Sequence, residues 1–181
     1  MNLNPQLLRA IGELGFEIPM PIQNEVIPQF LNSEDDLIGL AQTGTGKTAA
    51  YGLPILQLID AEKKVPQALI LAPTRELCVQ IANDLRTYTK YQANIRVTPI
   101  YGGASFQGQL KELSANPQVI VATPGRMIDM IDRGNIKLNN VQFLVLDEAD
   151  EMLNMGFEED VSAIIENTPK KRRTLRIHMD L

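Results

Sequence analysis

Three short runs of aliphatic residues, Ala68-Leu69-Ile70-Leu71, Val119-Ile120-Val121 and Phe143-Leu144-Val145-Leu146, constrain the fold of this chain more than any other feature of it. They lack polar alternation and are too short for core helices, so each reads as a strand buried on both faces. Weaker runs of the same kind are Asp36 to Leu40, Arg96 to Ile100 and Arg173 to Ile177. Pro99 has no N–H to give a ladder, which predicts an edge position or an early end for its strand. Between the runs, Thr48 to Ile59, Arg75 to Lys90, Phe106 to Leu113, Gly125 to Ile131 and Glu158 to Glu166 carry apolar residues at helical spacing. Strand and helix in alternation require crossover connections. They predict an α/β fold, a mostly parallel central sheet with helices on both faces.

Two helices are expected before the first strand. Asn4 can cap the first at Pro5, with Leu7, Leu8, Ile11 and Leu14 as its apolar face and Gly15 as its end. The second starts near Pro21, carries Ile22, Val26, Ile27, Phe30 and Leu31, and should bend at Pro28. A chain of 181 residues suits one domain, 1–181, able to bury a core without metal or disulfide. One cysteine, Cys78, cannot form an internal bridge and reads as a small buried hydrophobe. That usage, the absence of a signal-peptide pattern and the lack of any apolar run near about 20 residues predict a cytoplasmic protein without a membrane span.

Seventeen basic against 22 acidic side chains give a net charge of −5, which disfavours coating nucleic acid by bulk charge but leaves local contacts open. Lys170-Lys171-Arg172-Arg173 is the one dense basic run and reads as a solvated turn before a strand. Met152, Met155 and Phe157 read as core.

In open parallel sheets ligands sit beyond the carboxyl ends of the strands. There the chain carries Ala41-Gln42-Thr43-Gly44-Thr45-Gly46-Lys47-Thr48, Ala72-Pro73-Thr74-Arg75-Glu76-Leu77, Ala122-Thr123-Pro124-Gly125-Arg126 and Asp147-Glu148-Ala149-Asp150. A glycine-bearing loop ending in Gly-Lys-Thr and opening a helix lets backbone N–H groups wrap phosphates. Lys47 can reach the outer phosphates, and the Thr48 hydroxyl can hold Mg²⁺. Six specified positions of this type arise by chance on the order of 10⁻⁵ of the time in such a chain. The general formula has glycine where Ala41 stands. Asp147 at the end of its strand can hold a metal-bound water, and Glu148 can orient or deprotonate an attacking water. Together these features predict nucleoside triphosphate hydrolysis.

These motifs, with Gly102-Gly103 and in this order, resemble the DEAD-box ATP-dependent RNA helicases from about Leu3 to Leu175. That family begins its phosphate loop with alanine, which accounts for Ala41. The resemblance implies a RecA-like phosphate-loop domain using ATP and Mg²⁺. Its adenine-recognition segment resembles Gly15 to Gln23, with Phe16 at the site and Gln23 reading the adenine edge. Lys47 and Thr48 would bind phosphates and Mg²⁺, Asp147 would hold the metal through water, Glu148 would be the base, and Asp150 would couple the site to the rest of the domain. Pro73, Thr74, Arg75, Gly102, Gly103, Thr123, Pro124, Gly125 and Arg126 would form a track for the RNA sugar–phosphate backbone, independent of sequence.

The family works with two similar domains, the second supplying arginines to the phosphates, and its Ser-Ala-Thr segment is replaced here by an atypical tail, 176–181. A further family aromatic for the adenine would fall before Met1. The expectation is therefore an amino-terminal domain that binds nucleotide, hydrolyses it slowly and does not unwind alone. A non-catalytic, nucleotide-dependent platform for RNA or protein is the rival, and a small-metabolite kinase ranks below it.

Overall fold

A computed structural model of the chain describes residues 2–42 and 44–178; Thr43 of the phosphate loop and residues 179–181 of the tail lie outside the described residues. Six strands, β1 (Leu37–Leu40), β2 (Ala68–Leu71), β3 (Val97–Ile100), β4 (Val119–Ala122), β5 (Phe143–Leu146) and β6 (Arg173–His178), form one sheet in the order β1-β6-β5-β2-β4-β3. Every neighbouring pair is parallel. Pro99 lies in β3, at an edge, where its missing N–H breaks no inner ladder.

The helices are α1 (Pro5–Glu13), α2 (Pro21–Asn32), α3 (Lys47–Leu58), α4 (Arg75–Tyr88), α5 (Phe106–Leu113), α6 (Pro124–Asp132), α7 (Ala149–Asn154) and α8 (Glu158–Glu166). Asn4 caps α1 by accepting the Leu7 N–H at 2.9 Å.

The strand period of two divides the core between the two faces. Ala68, Ile70, Val119, Val121, Phe143 and Val145 join one cluster with residues of α1 to α4. Leu69, Leu71, Ile120, Ala122, Leu144 and Leu146 join another with residues of α6, α7 and α8. This two-sided burial is why the central runs are wholly aliphatic. At the other edge of the sheet, Ile38 and Leu40 are 70% and 63% exposed, so β1 has one covered face.

Register sets up the ligand side. Leu71 is level with Ala122 on one neighbour and Leu146 on the other, and Ala122 is level with Ile100. The segments that follow these four strands therefore leave the sheet at one height.

Two local expectations change. Residues 149–154 form the short helix α7, which buries Met152 but leaves Met155, at its carboxyl cap, exposed; Phe157 packs on the second cluster. The basic run is only partly solvated, because Arg172 and Arg173 are half-buried. Arg173 donates to the Phe30 carbonyl at 2.6 Å and lies over the Phe30 ring, tying the start of β6 to α2.

Helices α3 and α4 meet at Gly52, where an added Cβ would stand 2.5 Å from Leu85 Cδ2. Gly52→Val is expected to cost about 1–3 kcal/mol by overpacking, read from the urea unfolding midpoint. Cys78 is fully buried, and burial pushes its thiol up to about 12. It should stay unmodified by a neutral-pH thiol reagent until the chain is unfolded.

Candidate functional site

The loop after β1 reverses direction through two glycines in the left-handed region, Gly44 at φ +76° and Gly46 at +78°. Gly46 permits a close approach: a Cβ there would lie 2.4 Å from Gln23 Nε2. Thr45 Oγ1 donates to the Gln42 carbonyl at 2.6 Å, closing the turn, while the buried Ala41 donates its N–H to the His178 carbonyl at 3.1 Å. Lys47 and Thr48 then open α3.

Gln23 sits behind this loop, 4% exposed. Its Nε2 donates to the Gly46 carbonyl at 3.2 Å and its Oε1 accepts the Met20 N–H at 3.0 Å. Half the capacity of the amide is thus spent, one bond bracing the loop and one closing the start of α2, leaving one N–H and one lone pair for a base. The Phe16 ring is half-exposed and packs edge-on against Tyr88, centroids 6.3 Å apart.

Across the carboxyl edge of the sheet, β5 delivers Asp147 and Glu148 to the same place. The Lys47 ammonium lies 3.9 Å from Asp147 Oδ1 and 3.8 Å from Glu148 Oε1. All three are shielded: Lys47 is 9% and Asp147 1% exposed, and Glu148 is half-buried. Glu148 takes φ +52°, a strained conformation for a non-glycine residue, at the turn from strand to helix. Asp150 follows in the first turn of α7, with His178 Nδ1 4.0 Å from its Oδ1.

Burial pushes the Asp147 carboxyl above its ordinary range, opposed by the Lys47 charge and by a hydrogen bond from Tyr51. Burial raises Glu148 as well, again opposed by Lys47. A folded-state pKa above the unfolded value means that folding favours the protonated form. Ionising these groups as pH rises through that range therefore subtracts stability. The fold keeps them for another purpose.

Magnesium takes oxygen ligands and binds through one or two protein groups together with phosphates and water. Asp147 Oδ1 is buried without a hydrogen-bond partner, and Thr48 stands in the first turn of α3, a donor set that fits this ion. Among the described residues no group of three or more His, Cys, Asp and Glu makes a closed metal cage.

The second motif set lines the neighbouring strand ends β2, β4 and β3. Thr74 caps α4 by accepting the Leu77 N–H at 3.2 Å, between Pro73 and Arg75. Arg75 lies 5.2 Å from the Tyr101 ring centre, and a Cβ on Gly103, at φ +81°, would stand 3.3 Å from Arg75 Nη1. Gly102 precedes it, with open space where a Cβ would stand. Thr123 precedes α6 without using its side chain as a cap; Pro124 is buried, Gly125 exposed and Arg126 half-buried. The structure thus brings Gln23, the described loop residues and the acidic pair to one place and sets the second group along the neighbouring strand ends, while Phe16 packs on Tyr88.

Two further residues hold these sets and carry no motif. The fully buried Tyr51 donates its hydroxyl to Asp147 Oδ2 at 2.9 Å, and Gln109 bonds to Arg126 at 3.1 Å. Tyr51 falls at helical spacing among apolar residues and reads as core; its long-range partner leaves no mark in the sequence. Tyr51→Phe removes the donor from a buried charged acceptor and is expected to cost about 1–3 kcal/mol in urea unfolding. In an Asp147→Asn background that cost should shrink, since the acceptor is then neutral.

The DEAD/DEAH box helicase family model matches residues 20–177. The chain is 51% identical over 173 residues to the ATP-dependent RNA helicase DeaD of Mycobacterium tuberculosis, an alignment covering 96% of this chain and 31% of that protein. Its counterpart in Escherichia coli K12, also named ATP-dependent RNA helicase DeaD, is 48% identical over 174 residues, covering 96% and 28%. The chain therefore spans under a third of the length of these relatives. Among solved structures, a DEAD box protein from the hyperthermophile Methanococcus jannaschii superposes with a TM-score of 0.94 at 42% identity, covering 100% of this chain and 49% of that one. A hypothetical ATP-dependent RNA helicase from Sulfolobus tokodaii gives 0.86 at 34% identity, covering 98% and 50%.

Proposed function

This chain belongs to the DEAD/DEAH box helicase family, and we propose that it is the amino-terminal, RecA-like ATP- and RNA-binding domain of a cytoplasmic ATP-dependent RNA helicase. One observation carries the chemical part: the Lys47 ammonium reaches both strand-end carboxylates within 4 Å. The loop after β1 and the acidic pair after β5 thereby converge on a single site.

Within that site the N–H groups of 41–48 and the amino end of α3 receive the phosphates, and Lys47 turns from the carboxylates to the outer phosphate oxygens. Thr48 and, through water, Asp147 would hold Mg²⁺, which when bound neutralises charge on the phosphates. Tyr51 fixes one Asp147 oxygen and so aims the other. Glu148 orients a water and takes its proton; a carboxyl raised by burial is better matched to that task near neutral pH. Turnover should therefore rise with pH through a midpoint above the ordinary carboxylate range. Gln23 and Phe16 serve the adenine, and Asp150 carries the state of the site onward.

Pro73 to Arg75, Gly102, Gly103 and Thr123 to Arg126 form the RNA track. Small residues, hydroxyls and two arginines grip a sugar–phosphate backbone without a basic surface, in keeping with the net charge of −5 and with binding independent of sequence. Closing on RNA and completing the phosphate site fall to a second RecA-like domain in the full-length protein. An arginine supplied from outside can be worth roughly 10³–10⁵ in rate, so residues 1–181 alone should bind nucleotide without unwinding.

The test pairs a magnesium-dependent nucleotide titration with RNA-stimulated phosphate release in the full-length protein. Glu148→Gln should retain nucleotide affinity and lose turnover by about 10²-fold or more. Unchanged turnover would instead support a platform that uses nucleotide only as a ligand.

A further inference from the structure

Helix α5 buries one residue, and that residue is polar: Gln109, 5% exposed. A helix packed for stability alone would place an aliphatic side chain there, because a buried amide is tolerated only when its donor and acceptor are both satisfied. Here they are satisfied by two different segments. Gln109 Nε2 donates to the Tyr101 carbonyl at 2.8 Å, at the start of the Gly102-Gly103 turn, and Oε1 accepts from Arg126 Nη1 at 3.1 Å, in the first turn of α6.

The rest of the local packing points the same way. Arg126 Nη1 also donates to the Ala104 carbonyl at 3.4 Å, and its guanidinium lies 5.5 Å from the Phe106 ring centre. Phe106 and Gln109 stand three residues apart and so share a face of α5. Arg133 stacks on the same ring, 4.9 Å from its centre, and pairs with Asp129 at 2.7 Å. Both hydrogen bonds of Arg126 leave from Nη1, so Nε and Nη2 are left without a protein acceptor among the described residues. A fork held by one corner presents its remaining N–H groups in a fixed direction, which suits a phosphate oxygen.

We infer that Gln109 is a positioning residue for RNA binding: its amide locks Arg126 to the Gly102-Gly103 turn, so that the two contact points on the strand keep one spacing. The inference rests on the RNA track proposed above. Glutamine is the side chain that fits the task. Glutamate could accept from Arg126 but could not, ionised, donate to Tyr101, and its charge would neutralise the guanidinium.

The test is fluorescence anisotropy of a labelled decauridylate across a salt series, on wild type, Gln109→Glu, Arg126→Ala and the double variant. Magnesium-nucleotide affinity is measured alongside as the readout of an intact fold. Gln109→Glu should weaken RNA binding by about fivefold to tenfold and flatten the plot of log affinity against log salt by about 0.7, as loss of one phosphate contact to a single strand does. Nucleotide affinity should stay within about twofold, and the double variant should bind RNA no worse than Arg126→Ala alone. If the two losses add, or the salt slope is unchanged in Gln109→Glu, the positioning role is overturned. If Arg126→Ala itself leaves RNA affinity and slope unaltered, the RNA track fails and the inference falls with it. Gln109→Met, neutral and similar in volume, must show the same non-additivity with Arg126→Ala should the glutamate variant not fold.

Discussion

The meeting of Lys47 with Asp147 and Glu148 ties together parts of the chain that are a hundred residues apart. It requires that the loop after β1 and the residues after β5 face each other across β6, and the parallel sheet meets that requirement: Leu40 is level with His178 and Leu146 with Arg176, two residues earlier on the same strand. The carboxylates are unfavourable to the fold by themselves, since burial raises both of them. Lys47 and Tyr51 offset that penalty without removing it. A site held in this condition is receptive to an ion that brings its own positive charge and to phosphates that relieve the lysine.

The strand order also divides labour. On the proposed function, β1, β6 and β5 would carry the nucleotide end and β2, β4 and β3 the track, with β5 and β2 in direct register between them. Both halves rest on the same two-sided core of packed aliphatic side chains.

Much of this was legible in the sequence because it is written in local pattern. Residues buried on both faces must be aliphatic throughout, so β2, β4 and β5 announce themselves. Pro99 marks an edge, and Asn4 with Pro5 marks a helix start. The loop 41–48 is legible because only small residues allow its backbone to turn, as the positive φ of Gly44 and Gly46 bears out. What stayed hidden depends on contacts between distant segments. Tyr51 and Gln109 look like ordinary helical residues until Asp147 and Arg126 are brought beside them. Met155 shows the converse: an apolar residue in a core-like pattern lies at the end of α7 and remains exposed. Arg173 resembles a solvated charge and is instead a clasp between β6 and α2, because the Phe30 ring and carbonyl are both within its reach.

Gln23 touches Gly46 closely, its Nε2 donating to the glycine carbonyl and standing 2.4 Å from where a Cβ would be. A purine that engaged the remaining half of that amide would pull on the same side chain that steadies the glycine carbonyl. If Gln23 reads the base and the loop holds the phosphates as proposed, selectivity and grip become one elastic unit, and a wrong base would be penalised twice, once for its own missing bonds and again through a slackened cradle.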